Sequence, residues 1–218
     1  MGGSGGVAMS HRQIVTAALL AIVALAAGML LARALMPGAP AQLELAQATV
    51  LEPPRPLPQF ELIDQHGEPF GPERLRGHWS LLFFGFTNCP DVCPMTLSVL
   101  AQAEKQLADL PADQRPRVVL VSVDPKRDTP AKLDTYVRFF SPDFLGVTGT
   151  QEAMDRFTQD MGVPVAISPI SEDHYNVDHS AAIFLIEPEG ALRALYSTPH
   201  TPETIAADYR RIVAAYGN

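Results

Sequence analysis

Two stretches of the chain are apolar over the length of a whole strand. Residues 79–86 (WSLLFFGF) and 118–123 (VVLVSV) contain few polar side chains. A continuous apolar run of this length is typical of a strand that is buried on both faces of a sheet. We therefore expect two fully buried strands in these places.

Helical spacing follows the first of these strands and recurs later in the chain. Leu97, Leu100, Leu107 and Leu110 repeat as one face of a helix does, and Pro111 ends the pattern. Further helices are predicted over about 129–140, 151–161 and 202–216. Strands that alternate with helices in this way indicate an α/β domain.

The remaining strands are predicted as hairpins and short segments. Residues 60–63 and those around Phe70, joined by DQHG, are typical of a β-hairpin. Later strands are predicted at 145–147, 181–187 and 191–197, the last two as an antiparallel hairpin. The polar stretch 168–178 is predicted to be a loop. Together these elements predict an α/β sandwich of the thioredoxin type with an N-terminal β-hairpin extension.

The N-terminal part of the chain precedes this domain and has a different pattern. Residues 1–13 are predicted to be a disordered tail, and residues 14–36 a single transmembrane helix. Residues 14–32 carry no charge, and at ~1.5 Å per residue they span roughly the ~30 Å apolar layer of a bilayer. A cleaved signal peptide is the alternative. Residues 37–58, rich in proline and alanine, are predicted to be a linker, and residues 59–218 the thioredoxin-like domain.

The charge of the chain argues against one class of partner. The sequence holds 16 basic and 24 acidic residues, for a net charge of −8. The first 36 residues contain Arg12 and Arg33 and no acids, which leaves 14 basic and 24 acidic residues, or −10, for the remainder. A domain this acidic repels phosphate backbones, so we expect no nucleic-acid partner.

Both cysteines of the chain lie where the first buried strand gives way to a helix. Cys89 and Cys93 are separated by three residues within TNCPDVCPMT. If the helix includes this spacing, the sulfurs lie about one turn apart on one side. The helix dipole then favours the thiolate, the form that binds metals and attacks disulfides. We therefore predict a reactive pair, with a structural disulfide as the alternative, although so short a loop stabilises little.

A second candidate segment, DPKRDTP at 124–130, follows the other buried strand. Thr129 or Asp128 is predicted to cap the next helix. The segment therefore has two interpretations. One is purely structural; in the other, Asp124 faces the cysteines from the end of a neighbouring strand, and Lys126 and Arg127 contact a partner.

Three segments of the sequence resemble the SCO/SenC family. They are FTNCPDVCPMT, SVDPKRDTP and NVDHSAAIFLIEPEG, in this order, within a likeness that runs from about Pro53 to the C-terminus. Members of that family are thioredoxin-like, copper-binding assembly factors of cytochrome c oxidase. By motif, the resemblance implies that Cys89, Cys93 and His179 are the copper ligands.

Two histidines, His174 in the polar loop and His179 directly after it, are candidates for the third ligand. His179 lies where the loop enters a buried strand, a position at which thioredoxin-like oxidoreductases usually carry a cis-proline. The histidine favours metal binding over peptide reduction. Asp178 is predicted to hold the His179 ring by a hydrogen bond, and Asp124 is the second predicted supporting residue.

The donor set narrows the choice of metal. Two thiolates and one imidazole suit Cu(I), Cu(II) and zinc. Zinc normally takes a fourth ligand in a closed structural site, whereas three ligands at the mouth of a loop leave an open side for a metal that is handed on. The donor set therefore favours copper, and the resemblance implies copper as Cu(I), Cu(II) or both.

The resemblance implies a copper-binding protein that helps to mature the dinuclear copper centre of cytochrome c oxidase subunit II. The anchor and the cysteine chemistry predict a bacterial inner-membrane location, with the domain facing the periplasm. A thiol–disulfide oxidoreductase is the alternative, in which Cys89 and Cys93 are the redox pair that keeps the target's cysteines reduced. Whether the protein is an enzyme stays open between these two. A peroxiredoxin-like peroxidase is disfavoured, because its motif is Thr-x-x-Cys and Thr87 precedes Cys89 by only two positions.

Overall fold

The structure, a computed structural model, describes residues 11–35, 43–171 and 174–217. Most of the predicted tail and residues 36–42 lie outside these ranges.

The chain divides after Leu43 into a short N-terminal unit and a larger unit, Glu44–Asn218. The N-terminal unit contains helix α1 (His11–Leu35), whose large apolar side chains between Ile14 and Met29 are 45–67% exposed. Within the described ranges, no helix has both the length and the apolarity needed to cross a membrane, so the predicted anchor is not established by the structure.

The larger unit is an eight-stranded mixed sheet with helices packed against it. Its strands are β1 (Ala48–Pro56), β2 (Leu62–Asp64), β3 (Pro69–Phe70), β4 (Ser80–Gly85), β5 (Arg117–Ser122), β6 (Leu145–Thr148), β9 (Ile183–Glu187) and β10 (Ala191–Tyr196). Their order across the sheet is β1-β10-β9-β4-β5-β6-β2-β3. Strands β7 (Val165–Ser171) and β8 (His174–His179) form a separate two-stranded sheet. The helices are α2 (Val92–Gln106), α3 (Pro130–Phe140), α4 (Gln151–Met161) and α5 (Pro202–Tyr216).

Strand β4 is the centre of the core and organises the helices on both sides. It runs parallel to β5 and antiparallel to β9, and all six of its residues are buried. Trp79, just before β4, meets the ring of Tyr209 in α5, whereas the ring of Phe84 meets Phe157 in α4. Side chains an odd number of positions apart along an extended chain point to opposite faces of the sheet, as Trp79 and Phe84 do. Helices α5 and α4 therefore lie on opposite sides of the sheet. This two-sided burial explains why the strand is apolar throughout.

Helices α2 to α5 and the hairpin β2–β3 confirm the predicted elements and the α/β sandwich. Thr129 caps α3, since its hydroxyl accepts the Lys132 backbone N–H at 3.4 Å, and Pro130 stands at the first helical position. Thr150 and Thr201 cap α4 and α5 in the same way. Capping of this kind satisfies backbone donors that a helix leaves free at its start.

The predicted linker over residues 37–58 is wrong in its second half, because β1 occupies 48–56 and pairs with β10. The pairing shifts register between Val50 and Arg55, on either side of Pro53 and Pro54, which have no N–H to donate to the ladder. The carboxylate of Asp208 in α5 accepts the backbone N–H groups of residues 46–48 at 2.8–2.9 Å. The domain therefore begins about ten residues before the predicted boundary, at an edge strand. The prolines of this strand are the reason that the sequence pattern does not predict it.

The loop predicted at 168–178 is also wrong, because most of it forms the antiparallel hairpin β7–β8. Residues of β7 between Ala166 and Pro169 are exposed, so the apolar alternation that marks a half-buried strand is weak there. Backbone pairing rather than core burial makes this segment a hairpin. Its last residue is His179.

Candidate metal centre

The two cysteines lie in the connection between β4 and α2. Cys89 precedes the helix and is half-buried, whereas Cys93 is the second residue of α2 and is fully buried. Gly85 makes room for it, since a Cβ at that position would lie 3.1 Å from the Cys93 sulfur and 2.9 Å from the Phe83 ring. The end of the buried strand thus forms the floor under the second cysteine.

Both cysteines are free thiols in the structure. The sulfur of Cys89 accepts the backbone N–H of Cys93 at 3.4 Å, so it satisfies one of the donors at the start of the helix. The predicted placement, with Cys89 before the helix and Cys93 in its first turn, is therefore confirmed.

The helix dipole is predicted to favour the thiolate of Cys93, but the surroundings of Cys93 favour the protonated thiol. Burial raises the pKa of the Cys93 thiol well above its ordinary value, and a backbone hydrogen bond at Phe86 only partly offsets this. Cys93 is therefore a protonated thiol at neutral pH. It becomes a thiolate when a cation replaces the proton, as metal binding to a cysteine requires.

His179, the last residue of β8, comes to the same place from the other side. Its Nε2 lies 3.5 Å from the sulfur of Cys93, and its Nδ1 lies 2.9 Å from the Ser180 carbonyl oxygen. Because a carbonyl can only accept, Nδ1 carries the proton and Nε2 offers a lone pair toward the thiol. Burial lowers the pKa of His179, and the Ser180 carbonyl opposes this shift less strongly. The imidazole is therefore neutral at neutral pH, which is the form that binds metals.

Two phenylalanines fix the His179 ring. The rings of Phe83 and Phe86 meet it edge to face, with centroid distances of 6.1 and 5.8 Å. Both phenylalanines are buried. This apolar wall limits the ring's rotation and keeps water from one side of the Cys93–His179 pair.

A buried carboxylate holds the cysteine loop. Asp128 is 0% exposed and accepts the Thr87 backbone N–H at 2.9 Å, the Thr87 hydroxyl, and the Ser122 hydroxyl at 2.7 Å. Lys132 of α3 lies 3.4 Å from the same carboxylate and 2.6 Å from the Asn88 side-chain oxygen. Asp128 is therefore not a helix cap but the group that ties the cysteine loop to the start of α3.

The two predicted supporting carboxylates lie near the site but do not touch the ligands. Asp178 is exposed and accepts from the Asn176 amide at 3.1 Å, whereas the hydrogen-bond partner of the His179 ring is the Ser180 carbonyl. The predicted hydrogen bond between the Asp178 carboxylate and the His179 ring is therefore wrong. The reason is the alternation of a strand, which turns neighbouring side chains to opposite faces.

Asp124 is buried and acts on a different part of the site. Its carboxylate accepts the Tyr175 hydroxyl at 2.6 Å and pairs with the guanidinium of Arg127. Burial and this hydrogen bond raise the pKa of Tyr175 to about 12, so the phenol stays a donor. Arg127 is mostly buried rather than displayed to a partner, with its side chain 23% exposed.

The donor atoms of the three predicted ligands do not meet at one point in the structure. In the described ranges, no group of three or more histidine, cysteine, aspartate or glutamate side chains is arranged to hold a metal ion. Cys93 and His179 face each other, while the Cys89 sulfur is turned to the helix N-terminus. The donor set fits a soft metal, because it consists of two sulfurs and one imidazole nitrogen. The backbone of His174 starts β8, and its side chain lies outside the described part.

Sequence reasoning missed Tyr175 and Phe86. Tyr175 lies four residues before His179 on β8, so strand periodicity alone places both on one face. Phe86 directly follows the apolar run of β4. Either residue was visible as an aromatic side chain next to a candidate ligand, but its partner lies far away in the sequence.

The chain is similar to one protein family and to several individual proteins. The family model described as SCO1/SenC matches residues 49–214. A protein of Stutzerimonas stutzeri whose name describes it as copper-binding is 40% identical over 161 residues, which are 73% of this chain and 78% of that protein. The mitochondrial SCO2 homologue of Bos taurus is 39% identical over 158 residues, which are 72% of this chain. The chain spans 59% of that longer relative.

Solved structures share the fold. The crystal structure of yeast Sco1 with copper bound is 30% identical, with a TM-score of 0.70, and the match covers 75% of this chain and 91% of that one. A structure of BsSco, described as having a disulfide switch and as a member of the Sco family of cytochrome c oxidase assembly proteins, is 25% identical with a TM-score of 0.56. That match covers 73% of this chain and 94% of the other. The thioredoxin-like Sco fold is thereby established for the larger unit.

Proposed function

The chain belongs to the SCO1/SenC family, and we propose that it carries copper as cargo for the assembly of cytochrome c oxidase. The observation that carries the proposal is the Cys93 sulfur 3.5 Å from His179 Nε2, with Cys89 one hydrogen bond from the Cys93 backbone. Two soft sulfurs select Cu(I), and the nitrogen extends the site to Cu(II). The copper-bound Sco relatives support the same metal.

The surroundings of the ligands suit a metal that is handed on. Cys93 is fully buried, whereas Cys89 is half-buried and lies beside exposed Val92 and Met95 at the start of α2. In the proposed complex, Cys89 turns from the helix N-terminus toward the Cys93–His179 pair. An incoming thiol of the target would meet the copper from this accessible side, so transfer proceeds by exchange of sulfur ligands.

The finer parts of the function rest on the sequence. We propose that the target is the dinuclear copper centre of oxidase subunit II, and that α1 anchors the protein in the bacterial inner membrane with the larger unit in the periplasm. The anchor is supported by residues 14–32, which contain no charge. Apolar side chains of α1 are exposed around the whole helix rather than on one face, as lipid would cover them.

The first experiment is metal analysis of the reduced 218-residue chain, purified from copper-supplemented cells. We expect one copper per chain, and Cys89→Ser or Cys93→Ser should abolish tight binding, because each removes one of two sulfur ligands. His66→Ala is the control for a substitution outside the proposed site, since His66 is exposed in the turn between β2 and β3. This variant should bind copper as the unchanged chain does. A Cys93→Ser chain that keeps full copper affinity would contradict the proposed site.

A thiol–disulfide oxidoreductase is the second candidate, favoured by the adjacent free thiols and by the disulfide switch of BsSco. Both candidates are tested with a fragment of oxidase subunit II. A copper carrier transfers copper to the pre-reduced fragment without consuming thiol reductant. A reductase transfers none and instead reduces the fragment's disulfide, while Cys89 and Cys93 become a disulfide themselves.

A further inference from the structure

The segment that brings His179 to the cysteines has little backbone attachment to the core. Strands β7 and β8 pair with each other and form a sheet separate from the eight-stranded one. Residues 180–182 then join β8 to β9. The position of His179 therefore depends on side-chain contacts between the hairpin and the main sheet.

One set of such contacts grips β8 beside the proposed site. The Tyr175 hydroxyl donates to the carboxylate of Asp124 at 2.6 Å, and Arg127 Nη1 donates to the Tyr175 carbonyl oxygen at 3.2 Å. The Arg127 guanidinium also lies over the Tyr175 ring, 3.8 Å from its centroid. We call these three residues the hairpin clasp. Asp124 and Arg127 follow β5 of the main sheet, so the clasp joins the hairpin to the rigid core.

The hairpin clasp continues to His179 through aromatic contacts. The guanidinium of Arg127 lies 5.8 Å from the Phe86 ring centroid, and that ring lies 5.8 Å from the His179 ring. Tyr175 and His179 are also on the same face of β8, since they are four residues apart. The buried Nη2 of Arg127 has no hydrogen-bond partner among the described atoms. Loosening Tyr175 therefore loosens the strand that holds His179 against Cys93.

We propose that the hairpin clasp positions His179 and thereby sets how tightly the protein holds Cu(II) relative to Cu(I). The inference rests on the proposed copper site. Cu(I) is satisfied by the two sulfurs of Cys89 and Cys93, whereas Cu(II) needs the imidazole nitrogen. A chain in which His179 is correctly placed only part of the time loses Cu(II) affinity in proportion to that fraction. Arg127 and Tyr175 are thus positioning residues that act through His179.

The test is Tyr175→Phe in the full chain, which removes one hydroxyl and keeps the ring under Arg127. We expect Cu(II) affinity to fall roughly ten- to hundredfold, the range seen when a residue that orients a ligand is changed. Cu(I) affinity, measured by competition with a Cu(I) chelator, should stay within about threefold, because both sulfurs remain. Backbone hydrogen exchange in β7 and β8 of the metal-free chain should become faster, while exchange in β4 and β5 should not.

The chain offers a matched control in Tyr216→Phe. Tyr216 also donates to a carboxylate, that of Glu52, and also lies under an arginine, with Arg193 4.3 Å from its ring centroid. This cluster is at the C-terminal end of α5, so the control should leave both copper affinities and hairpin exchange unchanged. His179→Ala supplies the reference for complete loss of the imidazole.

Arg127→Gln is the second variant, and it should repeat the loss of Cu(II) affinity. The proposal is overturned if Tyr175→Phe and Arg127→Gln keep wild-type Cu(II) affinity and wild-type hairpin exchange. It is also overturned if Cu(I) and Cu(II) affinity fall together, since that pattern means general destabilisation. Failure of the underlying function looks different: the wild-type chain itself then binds neither form of copper, whatever the hairpin exchange shows.

Discussion

Replacing Asp128 should release the loop that carries the cysteines. This carboxylate is fully buried and lies at the centre of the contacts that join the loop to β5 and α3. Its Oδ2 accepts from the Thr87 backbone and the Ser122 hydroxyl, and its Oδ1 accepts from the Thr87 hydroxyl and from Lys132. Asp128→Asn and Asp128→Ala remove half and all of this acceptor set, respectively.

The size of the effect follows from which contacts each variant keeps. Asparagine can keep its oxygen at the Oδ2 position, but its amide then faces Lys132 and the Thr87 hydroxyl. Lys132 is 40% exposed, so water compensates part of its loss. Asp128→Asn then loses mainly the hydrogen bond from the Thr87 hydroxyl to the charged carboxylate, and this loss should cost about 2 kcal/mol. Asp128→Ala leaves the half-buried Thr87 donors and the buried Ser122 hydroxyl unpaired as well and should cost about 4 kcal/mol.

The assay is urea unfolding of the reduced chain, followed by the fluorescence of Trp79. It is the single tryptophan of the chain and is 1% exposed, so its emission reports on the core. Asp134→Asn is the control, because Asp134 pairs with Arg138 on the surface of α3 and the loss of this pair should cost no more than about 0.5 kcal/mol. If Asp128→Ala lost no more stability than Asp134→Asn, the buried carboxylate would not be what holds the cysteine loop.

Two further predictions concern the thiols and the N-terminal helix. In the reduced, metal-free chain, iodoacetamide should modify Cys89 at least about tenfold faster than Cys93. Cys93 is fully buried and its pKa is raised, so its thiolate should stay scarce from pH 7 to pH 9; equal rates in peptide mass spectrometry would contradict this. The full chain should remain with membranes after a high-salt wash, and an N-terminal reporter should be cytoplasmic, because residues 14–32 carry no charge. A soluble chain with a new N-terminus after this stretch would indicate a cleaved signal instead.

The sequence by itself determined the elements whose signals are local. Buried strands β4 and β5 show as apolar runs, and a threonine followed by proline marks the start of α3 and of α5. The positions of Cys89 and Cys93 around a helix start follow from the same reasoning. Each of these features depends on residues within a few positions of one another, where periodicity and capping act.

Only the tertiary structure decided which side chains support the candidate ligands. Thr87 meets Asp128 across 41 positions, and Tyr175 meets Asp124 across 51, distances over which no periodicity extends. The assignment of Asp178 failed because the strand turns it away from His179, and the activation of Cys93 failed because burial raises its pKa more than the backbone hydrogen bond at Phe86 lowers it. Strand β1 and the hairpin β7–β8 were missed because backbone pairing forms them with little burial. Sheet order and desolvation are properties of the assembled fold, and no local pattern in the chain encodes them.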